Sequence, residues 1–98
     1  MSTIRIALAN LAFPTTRDAS VALTRAAVHD AATAGAAIVC FPECYVPGYR
    51  ASGKGVLPAD EAWLADAVTR VGETAGAAGI TVVLGTECVT DAGLHASA

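Results

Sequence analysis

Glu43 is the residue of this sequence best placed to act as a general base. It follows Phe41 and Pro42 directly, at the end of a short, continuously apolar segment (residues 36–41, AAIVCF) that is typical of a buried strand. A carboxylate at the end of such a strand lies at the rim of a sheet and is partly withdrawn from water, which suits it to accept a proton. A glutamate at such a position is more often a solvated loop residue than a general base. Position alone therefore makes Glu43 only a candidate for the general base.

Lys54 lies in a segment with the spacing of a phosphate-binding loop. Residues 48–55 are GYRASGKG and fit the pattern G-x-x-x-x-G-K. Gly55 stands where that pattern has a Ser or Thr for magnesium, and Pro58 separates the segment from the next helix. The pattern therefore favours a flexible, glycine-rich loop with a solvated lysine over a nucleotide site.

The cysteines are neither arranged as in a secreted disulfide protein nor spaced as zinc ligands. Cys40, Cys44 and Cys88 are interpreted as reduced thiols, which indicates a cytoplasmic protein with no metal site. Cys44 neighbours Glu43, but adjacent residues of an extended chain point to opposite sides, so the two would not meet. Cys40 and Cys88 are expected to be buried, and Glu87, at the same sheet edge as Glu43, is expected to face solvent.

Alternating strands and helices must position these residues. Apolar runs predict strands at residues 4–9, 36–41 and 80–84, and helical periodicity predicts helices at residues 17–34 and from about residue 61 to 78. The predicted buried faces are Leu23, Ala27, Ala31 and Ala34 in the first helix, and Leu64, Val68, Val71, Ala75 and Ala78 in the second. A turn at residues 90–93 precedes the start of another strand.

The β-α-β-α-β order predicts an α/β fold with helices packed on a parallel sheet. Strand 36–41, being wholly apolar, is expected to be covered on both faces. Ligands of such sheets bind beyond the carboxyl ends of the strands, which indicates residues 41–50 and 85–89. The long connection at residues 43–59 is of the kind that usually carries function.

The composition excludes several classes of protein. Alanine accounts for 23 of the 98 residues, and Leu, Ile, Val and Phe together for another 23, so the core is thin and is expected to need a partner surface. The six Lys and Arg residues are scattered, which argues against nucleic-acid binding. The longest fully apolar runs have six residues, far fewer than the roughly 18–20 that span a membrane.

Phe41-Pro42-Glu43 and its surroundings resemble the N-terminal part of the carbon–nitrogen hydrolase (nitrilase) family. The resemblance runs along all 98 residues: the opening strand IRIALAN, Ala34-Gly35-Ala36 at the close of the first helix, the strand IVCFPE, the Gly48-Tyr49 step and the strand ITVVLGTE. Residues 35–43 are its most specific part.

This resemblance implies a partial α-β-β-α sandwich, in which residues 1–98 are the incomplete N-terminal part of a single domain, and a homo-oligomer that extends the sheets. It implies hydrolysis of an amide or nitrile carbon–nitrogen bond by a Glu–Lys–Cys set, with no metal or organic cofactor. Glu43 matches the family's general base. Tyr45 and Tyr49 are expected, from proximity, to be walls of the substrate pocket.

Lys54 and the three cysteines do not match the family's lysine and nucleophile, which come later than any matched segment. The chain would then carry one catalytic group of three and be inactive alone, because such a set acts as a unit. Its expected partner is a small amide or nitrile, with no nucleic acid and no membrane. The alternative is a non-catalytic α/β binding or interaction module, and a nucleotide-binding protein is a third possibility.

Overall fold

The computed structural model describes residues 3–51 and 53–98. Within them the chain forms, in order, β1 (Ile6–Leu8), α1 (Arg17–Thr33), β2 (Ile38–Cys40), α2 (Glu61–Ala78), β3 (Thr81–Val83), β4 (Thr86–Thr90) and β5 (Gly93–Ser97). The predicted α/β class and the β-α-β-α-β order are confirmed, although each of the first three strands is shorter than predicted.

The first three strands form one parallel sheet with β2 in the middle. Ile38 of β2 is in register with Ile6 on one side and with Thr81 on the other. Strands β4 and β5 form a separate antiparallel hairpin. The strand expected after residue 93 is therefore present, but it pairs back onto β4.

Side-chain caps begin both helices. The Thr16 hydroxyl accepts a hydrogen bond from the Ala19 N–H at 3.0 Å, and Asp60 Oδ1 accepts one from the Trp63 N–H at 3.0 Å. Each satisfies one of the N–H groups that have no partner in the first turn of a helix. Gly79 ends α2 in the left-handed conformation, with φ 68°.

The core lies between the two helices and one face of the three-stranded sheet. Its helical side consists of Ser20, Val21, Thr24, Val28 and Ala31 from α1, and Leu64, Ala67 and Val71 from α2. The predicted faces are partly wrong, because Leu23, Ala34 and Val68 are exposed. Both helices are rich in alanine, which fits a core face and a solvent face equally well, so the periodicity did not fix their rotation.

The opposite face of the sheet is bare. Val39 is 1% exposed on the covered side, whereas Ile6, Leu8 and Val83 on the other side are 52%, 79% and 43% exposed. In β2 itself, Ile38 and Cys40 on this side are half-buried, so the expectation that β2 is covered on both faces is wrong for the described residues. The described residues form two layers, in which the helices pack on one face of the sheet and the other, apolar face is open. This arrangement is compatible with half of an α-β-β-α sandwich. Neither helix in the described ranges is long and apolar enough to cross a membrane.

Candidate functional site

The candidate site forms where β2 and β3 end. The Phe41 N–H donates to the Val83 carbonyl at 3.0 Å, which extends the β2–β3 pairing to the residue before Pro42. The chain then turns, and the Val46 N–H donates to the Gly85 carbonyl at 3.2 Å. These two bonds attach the segment that carries Glu43 to the end of β3 on one side and to the connection between β3 and β4 on the other.

Gly85 packs directly against the backbone of this segment. A Cβ built on Gly85 would overlap the carbonyl oxygen of Pro42 and stand 3.0 Å from the backbone nitrogen of Cys44. Pro42 and Cys44 flank Glu43, so the backbone of the candidate base rests on a position where only glycine fits. The Gly in the sequence GTE was the available signal for this contact.

Cys44 is buried and turned into the protein. Its backbone has φ 50°, and its thiol donates to the Thr86 carbonyl at 3.4 Å. Burial raises the pKa of the Cys44 thiol, the negative charges of Glu87 and Glu43 raise it further, and Arg50 opposes them. The extended backbone assumed from the sequence is wrong here. A buried, protonated thiol is a poor nucleophile for a reason that the sequence argument did not use.

Glu43 is exposed, and the predicted partial burial of this carboxylate is wrong for the described residues. It borders two open hollows at the sheet edge, of about 180 and about 370 Å³. The smaller hollow is also lined by Cys44, Tyr49, Arg50, Glu87, Leu94, His95 and Ala96. Glu43 therefore lies at the rim of the sheet beside a hollow, as expected, with its carboxylate open to solvent.

An ion pair between the partly exposed guanidinium of Arg50 and the buried carboxylate of Glu87 forms one wall of the smaller hollow. Arg50 Nε donates to Glu87 Oε2 at 2.6 Å and Arg50 Nη2 donates to Glu87 Oε1 at 3.0 Å. The Glu87 side chain is 3% exposed, so the prediction that it faces solvent is wrong. The hydrogen bonds that Arg50 donates to Glu87 raise the pKa of Arg50 above its usual range. Sequence reasoning missed Arg50 altogether, because nothing in the local pattern connects it to a residue on β4.

The two tyrosines lie in different places. Tyr45 is buried in the core, its hydroxyl donates to the Ala12 carbonyl at 2.9 Å, and burial raises its pKa. Tyr49 is exposed and lines the smaller hollow beside Glu43. A pocket-wall role for Tyr49 stays a prediction, whereas the location of Tyr45 does not support one.

Lys54 does not line either of the hollows beside Glu43. Its ammonium lies over the Phe13 ring, 4.5 Å from the centroid, and the chain continues through Pro58 before α2 begins. Cys40 is half-buried and Cys88 is exposed, so the expected burial of Cys88 is wrong. Within residues 3–51 and 53–98, no group of three or more His, Cys, Asp or Glu side chains is arranged to hold a metal ion.

These features define an α/β protein with a carboxylate at the carboxyl edge of its parallel sheet. The model of the carbon–nitrogen hydrolase family matches residues 5–96. The match covers nearly the whole chain, and the chain belongs to the carbon–nitrogen hydrolase family. Comparisons with the curated proteins and with the solved structures found no match. The resemblance noted in the sequence is thus confirmed, and carbon–nitrogen bond hydrolysis is the activity of the family.

Proposed function

We propose that this chain supplies the general base, Glu43, of an enzyme that hydrolyses an amide or nitrile carbon–nitrogen bond. The observation that carries the proposal is the position of Glu43, which follows the central strand β2 and borders a hollow at the carboxyl edge of the sheet. Open α/β sheets bind their ligands at this edge. The lysine and the nucleophilic cysteine of the catalytic set would come from outside residues 1–98.

The chemistry of an amide substrate illustrates the role of Glu43. Its carboxylate takes the proton of the cysteine thiol, and the thiolate attacks the carbonyl carbon. The lysine ammonium stabilises the negative charge of the tetrahedral intermediate. Glu43 then gives the proton to the departing ammonia or amine, which leaves a thioester. In the second half, Glu43 accepts a proton from the attacking water, the carbon–sulfur bond of the thioester breaks, and Glu43 returns the proton to the sulfur. The carboxylic acid then leaves and the cysteine thiol is regenerated.

Cys44 and Lys54 do not suit the missing roles, and neither Cys40 nor Cys88 lines a hollow beside Glu43. The Cys44 thiol is buried, and its raised pKa keeps it protonated. Lys54 lies against Phe13 rather than beside Glu43. We therefore expect residues 1–98 to be inactive alone, since a catalytic set that acts as a unit loses nearly all activity when members are missing.

The bare sheet face supports the view that residues 1–98 are part of a larger single domain. Ile6, Leu8 and Val83 expose apolar surface on one side of the sheet, which a second layer would remove from water. In the proposed enzyme this layer is the second sheet of the sandwich. A cytoplasmic location and a homo-oligomeric state stay predictions, drawn from the free cysteines and from the family resemblance.

Ammonia release from a panel of small amides and nitriles tests the proposal. The 98-residue chain should release none, and the same chain together with the polypeptide that supplies the lysine and cysteine should turn over at least one compound. Substitution Glu43→Gln should remove that turnover. A 98-residue chain that is inactive, monomeric and cooperatively folded, and that binds a ligand in its own right, would instead support a non-catalytic binding module.

A further inference from the structure

We propose that Arg50 and Glu87 are positioning residues that hold Glu43 in place at the edge of the sheet. This inference rests on the proposed role of Glu43 as general base. Neither residue is assigned a proton-transfer step. Their contribution is to fix the segment from Glu43 to Arg50 against β4, so that the carboxylate stays beside the hollow it borders.

Arg50 bonds to two other parts of the chain, one seven residues away and one 37 residues away in sequence. Nε and Nη2 donate to the two oxygens of Glu87 on β4, and Nη1 donates to the Leu57 carbonyl at 2.8 Å. One guanidinium thus ties the middle of the long connection to its far end and to the hairpin. No helix or strand forms among the described residues between β2 and α2, so this tie substitutes for regular structure.

The pair is built for two simultaneous bonds. A carboxylate with a 3% exposed side chain needs its charge matched, and a guanidinium meets both oxygens in one plane. Lysine, a point charge on a flexible stem, does not reproduce this geometry. If the pair is broken, the buried carboxylate of Glu87 is left without its partner. Water can then reach this carboxylate only if the segment from Glu43 to Arg50 moves away.

The segment between Glu43 and Arg50 would transmit such a movement. Its amides are bonded to neighbours: the Val46 N–H to the Gly85 carbonyl at 3.2 Å and the Gly48 N–H to the Cys44 carbonyl at 3.1 Å. Glu43 lies at one end of this short run and the Arg50–Glu87 pair holds the other. Release of the Arg50 end should therefore loosen both bonds and let the Glu43 backbone shift.

Amide hydrogen exchange tests the structural half of this inference without requiring activity. In the 98-residue chain, Arg50→Lys should speed exchange at Val46 and Gly48 by about 10-fold or more, because the bonds lost involve charged groups. The control Arg70→Lys, at an exposed position on α2, should leave these amides unchanged. Unchanged exchange in Arg50→Lys would overturn the inference. If that variant does not fold, Glu87→Gln gives the same comparison.

Kinetics of the catalytically complete enzyme test the functional half. Arg50→Lys should lower kcat by about 10- to 100-fold with little change in KM, because a displacement of about 1 Å in a catalytic group can cost that much. A purely structural role would lower the melting temperature and leave the kcat of the folded enzyme intact, which contradicts the inference. Full activity in Glu43→Gln would refute the proposed function itself, and normal kcat in Arg50→Lys alone would refute only the positioning role.

Discussion

Gly85 packs so closely against Pro42 that a side chain on Gly85 would occupy the space of the Pro42 carbonyl oxygen. Glu43 is the next residue, so the connection between β3 and β4 sets where the candidate base sits. The position of Glu43 therefore depends on two segments. One is residues 41–43 (FPE), which include Glu43, and the other is residues 85–87 (GTE), whose Gly85 packs against the backbone on either side of Glu43.

Substitution Gly85→Ala should destabilise the chain by about 1–3 kcal/mol, because the added methyl forces the backbone of Pro42 and Cys44 to move. Urea or guanidinium unfolding measures the change. Gly72→Ala is the matched control, since Gly72 is exposed in α2 with open space around it, and should stabilise by about 0.5–1 kcal/mol. Equal effects at the two glycines would contradict the close contact at Gly85.

The thiols should differ sharply in reactivity. Cys88 is exposed on the hairpin, whereas Cys44 is buried with a raised pKa and so has less thiolate at any given pH. In a thiol titration of the folded chain with a disulfide reagent, Cys88→Ser should abolish the fastest phase. Cys44→Ser should leave that phase intact. A fast phase that disappears with Cys44 would show that this thiol is not held as described.

Alkaline pH should destabilise the chain through Cys44. Burial raises the folded-state pKa of this thiol above its unfolded value, so the fold favours the protonated form. The stabilisation is complete below about pH 8.5 and is lost as the pH rises through the folded-state pKa. Melting temperatures between about pH 7 and 10 should therefore fall less in Cys44→Ser than in the natural chain. Cys88→Ser serves as control and should follow the natural chain.

The bare face of the sheet gives a test of the larger domain. Leu8 is 79% exposed, so Leu8→Thr should change the stability of the 98-residue chain by no more than about 0.5 kcal/mol and should reduce self-association. In the complete enzyme, where a second sheet is proposed to cover Leu8, the same change should cost about 2–5 kcal/mol. Val68→Thr, on the exposed side of α2, should be nearly neutral in both. A neutral Leu8→Thr in the complete enzyme would contradict the covering sheet.

The element order and the location of Glu43 could be predicted because their signals are local. The cap at Thr16, the apolar strand before Pro42 and the glycine after α2 each depend on neighbouring residues. The position of a residue directly after a parallel strand is fixed by topology alone, so Glu43 falls at the sheet edge whatever the details of the loop.

The Arg50–Glu87 pair, the rotation of the helices and the open face of the sheet could not be predicted. They depend on contacts between residues distant in sequence, which local patterns do not specify. Arg50 and Glu87 are 37 residues apart, and neither type nor spacing links them. Alternation along β4 places Glu87 on the opposite face from Thr86 and Cys88, but it does not tell which of the two faces is buried. The rotation of the alanine-rich helices and the open sheet face likewise follow from what packs against them.

The Glu43→Gln variant of the catalytically complete enzyme tests the central claim most directly. Glutamine keeps the size of the side chain and removes its capacity to accept a proton, so kcat on the preferred amide or nitrile should fall by about 10²–10⁴-fold with an unchanged melting temperature. Glu73→Gln, at an exposed position on α2, should keep the full rate. A Glu43→Gln enzyme that turns over at the natural rate would contradict the assignment of Glu43 as the general base.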